Sequence, residues 1–189
     1  RRVFVPRYMC SVMLEPFHQT GIPYEFYSVT KQLLPANDIA LQANDLLLYT
    51  NYFGLCGKNV RLVIERYKNH VIIDNSQSFF EQPVPGIDTI YSPRKFFGLP
   101  DGGIVFGNEL EKPNVPQDIS LDRISHLLLR LEQGAEAGFK EFKKNDGNLS
   151  GSPLRLMSSL TDLLLRNIRY PCHIGKRRRN FDQFHSELG

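Results

Sequence analysis

Short apolar runs recur from Val3 to Phe106, each bounded by turn-forming residues and most followed by a connection long enough to cross over a sheet. This alternation constrains the fold more than any other feature of the chain. A strand followed by a crossover returns parallel to its predecessor, and the crossovers must cover the sheet's faces. The pattern predicts strands at 2–5, 24–29, 45–51, 70–74, 88–92 and 103–107. A helix capped by Ser11 and running to His18 would bury Val12, Leu14 and Phe17. A second, over Gly57–Asn69, sets Val60, Val63, Ile64 and Tyr67 on one face. Gln82–Ile87 is a Pro/Gly loop too short for a full helix.

After Gly107 the period changes. Pro113 and Pro116 mark a linker, and three helical stretches follow, over Leu121–Lys144, Leu154–Asn167 and Ile174–Leu188. Gly134 and Gly138 interrupt the first, and Asn145–Pro153 is a loop by composition. The expected organisation is a core at 1–112 and a helical segment at 113–189 leading toward a smaller domain. The chain opens on a strand and ends in mid-helical pattern, so it reads as a piece of a longer protein.

Composition narrows the function classes. A net charge of +3 is too small to argue for nucleic acid. The run Lys176–Arg179 falls among Ile174, Phe181 and Phe184, the pattern of a solvated basic helix face. No apolar run approaches the roughly 20 residues of a membrane span. Cys10, Cys56 and Cys172 are widely spaced and make neither a disulfide framework nor a metal pattern, which suits a reducing, cytoplasmic compartment. The histidines pair with no Asp, Glu or Cys at metal spacing.

The chemistry concentrates in two stretches. Val71–Gln77 reads VIIDNSQ, an apolar strand ending on Asp74 with Gln77 three residues on. Tyr91–Gly103 reads YSPRKFFGLPDGG, with Lys95 between a short strand and a Gly-Gly turn and Ser92 three residues before it. In an open parallel sheet, ligands bind outside the carboxyl ends of strands. An acid on one strand tip and a lysine beyond the next are the two groups a pyridoxal 5'-phosphate (PLP) enzyme needs. The amine attaches the aldehyde, and the acid keeps the pyridine nitrogen protonated.

Asp74-x-x-Gln77, and Lys95 followed by Asp101-Gly102-Gly103, resemble the motifs of the DegT/DnrJ/EryC1/StrS sugar aminotransferases, fold-type I PLP enzymes. VFVPRYMC at Val3–Cys10 and YTNYFG at Tyr49–Gly54 are similar to two of that family's strand ends, in the same order. The resemblance implies a three-layer α/β/α large domain like that of aspartate aminotransferase. Its mainly parallel sheet would run 2-1-3-4-5-6, with the last strand antiparallel and a further strand beyond it. It implies PLP as cofactor, Lys95 and Asp74 as catalytic residues, and Gln77 beside the cofactor ring. Ser92 would serve the phosphate, although many family members place that serine five residues before the lysine. Tyr8 would stack on the ring, since the family's aromatic position is Cys10 here. The implied reaction moves an amino group from glutamate to a nucleotide-linked keto-sugar, in a homodimer, for surface polysaccharide or deoxyaminosugar synthesis. A PLP-dependent sugar dehydratase and a non-catalytic remnant of the fold are the alternatives. The resemblance also puts a phosphate-binding turn ahead of this chain's first strand, so the chain alone is expected to bind PLP weakly.

Overall fold

The computed structural model describes residues 2–108 and 110–189. Six strands form one sheet: β1 (Val3–Pro6), β2 (Tyr24–Tyr27), β3 (Leu46–Thr50), β4 (Val71–Asp74), β5 (Asp88–Tyr91) and β6 (Ile104–Phe106). Their order is β2-β1-β3-β4-β5-β6. The first five are parallel and β6 returns antiparallel to β5. Order and direction are those the resemblance implies.

The period-2 alternation of side chains sorts the strand residues onto two faces. Phe4, Leu47, Tyr49, Val71 and Ile73 pack on one face with Val60, Val63 and Tyr67 of α2 (Gly57–Tyr67). Val3, Val5 and Leu48 pack on the other with Met13, Leu14 and Phe17, around α1 (Glu15–Thr20). Helices therefore cover both faces, giving three layers. Each such buried side chain contributes roughly 1.5–3 kcal/mol by leaving water. α2 stops where Lys68 turns to a positive φ of 52°.

The helical part corrects the sequence reading in several places. Ser11 caps nothing; it opens a 3-10 turn, Ser11–Leu14, before α1. The stretch 121–144 divides into α3 (Ser125–Gln133) and α4 (Ala135–Leu149), which break at Gly134, where φ is 93°. Gly138 interrupts nothing; a Cβ there would lie 2.6 Å from the His126 carbonyl oxygen, so glycine lets α4 cross close to α3. α4 continues through Asn145, read as loop, because the Asn145 side chain is buried and donates to the Pro100 carbonyl at 2.9 Å. Leu154 starts no helix. Leu156 bridges to Gln117 in extended form, and α5 (Ser159–Arg166) begins after Ser158, whose hydroxyl accepts the Thr161 N–H. α6 (Tyr170–Leu188) begins before Ile174, where the sequence pattern implied its start, with Pro171 in its first turn. Lys176–Arg179 lie exposed on α6, while Phe181 and Phe184 are also exposed, at 67% and 62%.

Candidate active site

Parallel pairing of β3 with β4 and β4 with β5 brings Thr50, Asp74 and Ile90 side by side at the carboxyl edge of the sheet. Asp74 ends β4 and is only 3% exposed. One carboxylate oxygen accepts the Ser76 N–H at 2.8 Å, closing a tight Asx turn, and the other receives a long 3.5 Å contact from the Thr50 hydroxyl. No lysine, arginine or histidine among the described residues forms an ion pair with it.

Lys95 closes a 3-10 turn, Pro93–Lys95, directly after β5. Its backbone N–H donates to the Ser92 carbonyl at 3.2 Å. Its amine donates to the Ser76 hydroxyl, also at 3.2 Å. Ser76 therefore holds the carboxylate through its backbone and the amine through its side chain. Two groups 21 positions apart in sequence meet across one residue because β4 and β5 are neighbours.

Gln77 is half-buried in the same turn. Its Oε1 accepts the Phe53 N–H at 2.9 Å, which leaves Nε2 free to donate to a ligand. Phe53 is held at a φ of 59°, a strained conformation for a bulky residue, and Gly54 follows at 70°. Beneath this turn Asn51 donates to Asn75 Oδ1 at 3.0 Å and to Ser78 Oγ at 3.1 Å, and accepts the Cys56 N–H. The loops after β3 and β4 are thus fixed to each other.

Tyr8, beyond β1, stacks on Tyr52 with ring centroids 5.5 Å apart and planes 25° apart, and remains 55% exposed. Tyr52 is buried; burial pushes its phenol up to about 12, and the Asp74 carboxylate adds to the rise. Cys10 is exposed and unpaired. Arg94, beside Lys95, pairs with Asp146 at 2.9 Å.

Four of the five candidates, Asp74, Gln77, Lys95 and Ser92, thus belong to two adjoining turns, and Tyr8 connects to them through Tyr52 and Phe53. Sequence reasoning missed Ser76 and Thr50. The Asx turn of an Asp-x-Ser stretch was the available signal for Ser76; Thr50 becomes visible only through strand register. Asp101 of the Asp-Gly-Gly turn lies elsewhere in purpose. Its carboxylate is buried and accepts from Ser120 and Thr161 at 2.6 Å each and from Arg123 at 2.7 Å. Burial pushes that carboxyl up, but the two hydroxyls and the guanidinium outweigh it and hold it below the ordinary range.

No family model matches the sequence, and no curated protein matches it. Among solved structures the chain is similar to the sugar aminotransferase CalS13 from Micromonospora echinospora, at 13% identity and a TM-score of 0.41. The match covers 77% of this chain and 50% of that one, so the chain spans half the length of that structure. No described helix is long and apolar enough to cross a membrane.

Proposed function

We propose that this chain is the cofactor-binding part of a PLP-dependent aminotransferase. The observation that carries the reading is the Asp74–Ser76–Lys95 linkage at the carboxyl ends of β4 and β5. A buried carboxylate whose only donors are neutral is costly, so Asp74 calls for a positively charged partner, and none of the described residues forms an ion pair with it. A pyridine nitrogen carrying a proton fits that need. The Lys95 amine, engaged only by a hydroxyl, fits an aldehyde.

When bound, PLP supplies an electron sink that makes the α-proton of an amino acid removable. The chain's own residues do the rest. Asp74 holds the proton on the ring nitrogen. Lys95 would hold the cofactor, and its Nζ would take up and return a proton. Ser76 fixes Nζ on the side of the sheet where Asp74 lies. Gln77 Nε2 would donate to the cofactor while Oε1 keeps Phe53 in its strained turn. Tyr8 offers an exposed ring face for stacking, and Ser92 a hydroxyl for the phosphate.

In this reading residues 1–112 form the cofactor-binding core, and residues 113–189 lead into a smaller domain. The substrates proposed are glutamate and a nucleotide-linked keto-sugar, and the working form is a homodimer. The test is a panel of nucleotide-linked keto-sugars with glutamate and PLP, assayed on the full-length protein. Appearance of an amino-sugar with stoichiometric 2-oxoglutarate supports the reading. Deoxygenation of the sugar without loss of amine from glutamate would instead identify a dehydratase.

A further inference from the structure

Lys95 sits on a turn that local bonds shape but do not place. The Phe96 N–H donates to the Pro93 carbonyl at 2.9 Å, the Phe97 N–H to the same oxygen at 3.1 Å, and the Leu99 N–H to the Phe97 carbonyl at 2.9 Å. Each of these bonds stays inside residues 93–99. Phe96 and Phe97, directly after Lys95, reach outside that segment with their rings. They meet Phe79 and Phe80, which follow Ser76 and Gln77 in the turn after β4. Ring centroids of Phe79 lie 5.7 Å from Phe96 and 5.1 Å from Phe97, and those of Phe80 lie 5.9 Å and 6.0 Å away. The turns that carry Ser76 and Lys95 are thus packed together by these rings.

The start of α6 closes the cluster from a distant part of the chain. Tyr170, His173 and Arg177 share one helix face, at i, i+3 and i+7. The Tyr170 ring stacks on Phe79 at 5.9 Å, with planes 21° apart, and meets Phe97 edge-on at 5.6 Å. Its hydroxyl donates to the Leu165 carbonyl at 2.9 Å, which ties the ring to the end of α5. The His173 ring meets Phe97 at 5.4 Å. The Arg177 guanidinium lies 5.2 Å from the centre of Phe96 and 5.7 Å from that of Phe80, so one cation spans a ring from each turn. Ring pairs of this kind prefer particular angles, so a shift of α6 turns Phe96 and Phe97, and with them the backbone that carries Lys95. We propose that Tyr170 and Arg177 are positioning residues for Lys95. Through Phe96 and Phe97 they hold its amine at the Ser76 hydroxyl, 3.2 Å away. The proposal rests on the aminotransferase reading only for its purpose, since chemistry at a lysine depends on placement to within ~1 Å.

The test needs no cofactor. Full-length protein is trace-labelled with acetic anhydride, and acetylation of Lys95 relative to the other lysines is read by peptide mass analysis. Lys95 is exposed, so the reagent reaches it in the wild type. The amine must leave Ser76 before it attacks, so Ser76→Ala should raise the Lys95 ratio about two- to tenfold, the range of one hydrogen bond. Tyr170→Ala and Arg177→Gln should each raise it in the same direction. Arg177→Gln replaces an exposed side chain and so keeps the fold, and it decides alone should Tyr170→Ala not fold. Tyr170→Phe keeps the ring and should label as the wild type does. In a Ser76→Ala background neither α6 substitution should raise the ratio further, because the bond they act through is already gone. A ring cluster that served folding alone would lower the melting temperature and leave the ratio unchanged. An unchanged ratio in Arg177→Gln, effects that add to that of Ser76→Ala, or a Tyr170→Phe that labels like Tyr170→Ala would each overturn the proposal. Borohydride trapping of PLP on the wild type, run in parallel, separates the two readings. Trapping on Lys95 with an unchanged ratio removes the positioning role alone, and a raised ratio without trapping leaves that role and removes the cofactor.

Discussion

Asp74 costs the fold stability and serves it little. Its carboxylate is buried among a serine amide and a distant threonine hydroxyl, so an amide of the same shape should be no worse for folding. Asp74→Asn in the full-length protein is expected to keep or raise the melting temperature, keep Lys95 available to PLP, and lower amination by about 10²-fold or more. Thermal melts and initial rates check this; a melting temperature lowered by several degrees would make Asp74 a structural acid. Asp74 and Lys95 were legible in sequence because each stands at a strand end beside turn residues. For Ser76 the Asp-x-Ser spacing signals the turn, but its place between the two groups depends on the neighbouring strand. Asp101 stands in the Asp-Gly-Gly motif, but its partners Ser120, Arg123 and Thr161 are far along the chain, and no local pattern announces them.

At the scale of elements, Asp101 ties the end of the sheet to the helical part, with Arg123 reaching on to Asp118 at 2.6 Å. Asp101→Ala should cost about 3 kcal/mol, because it strands a partly buried guanidinium and two buried hydroxyls. The folded carboxyl is held below its ordinary 3.8, so folding favours the charged form. That contribution is complete above the unfolded value and lost as pH falls through the lower folded value. Below about pH 4 the wild type should therefore lose stability more steeply than Asp101→Asn, as denaturant titrations across pH would record. A second prediction concerns Gly138. In an ordinary helix interior Gly→Ala stabilises by about 1 kcal/mol. Here the new Cβ would meet the His126 carbonyl at 2.6 Å, a backbone atom that cannot turn aside, so Gly138→Ala should destabilise and loosen the α3–α4 pair. A higher melting temperature would contradict that crossing. Strands were read to within two residues of their true ends because each is an apolar run between turn residues. Helix ends were read less well. The leucines near 154–156 fit a helical period, yet Leu156 gives its backbone to residues 116–118.

For the whole molecule, strand order followed from the resemblance rather than from periodicity, which yields strands but not neighbours. Order β2-β1-β3-β4-β5-β6 is what sets Asp74 beside the turn that carries Lys95, so the topology and the candidate site stand together. The most direct test is site-selective labelling: incubate the full-length protein with PLP, reduce with borohydride, and locate the phosphopyridoxyl group by peptide mass analysis. The account predicts that Lys95 is labelled ahead of every other lysine, that the preference disappears on denaturation, and that Lys95→Ala leaves a folded protein without a preferred site. Labelling spread evenly over the surface lysines, or concentrated on one other than Lys95, would contradict it.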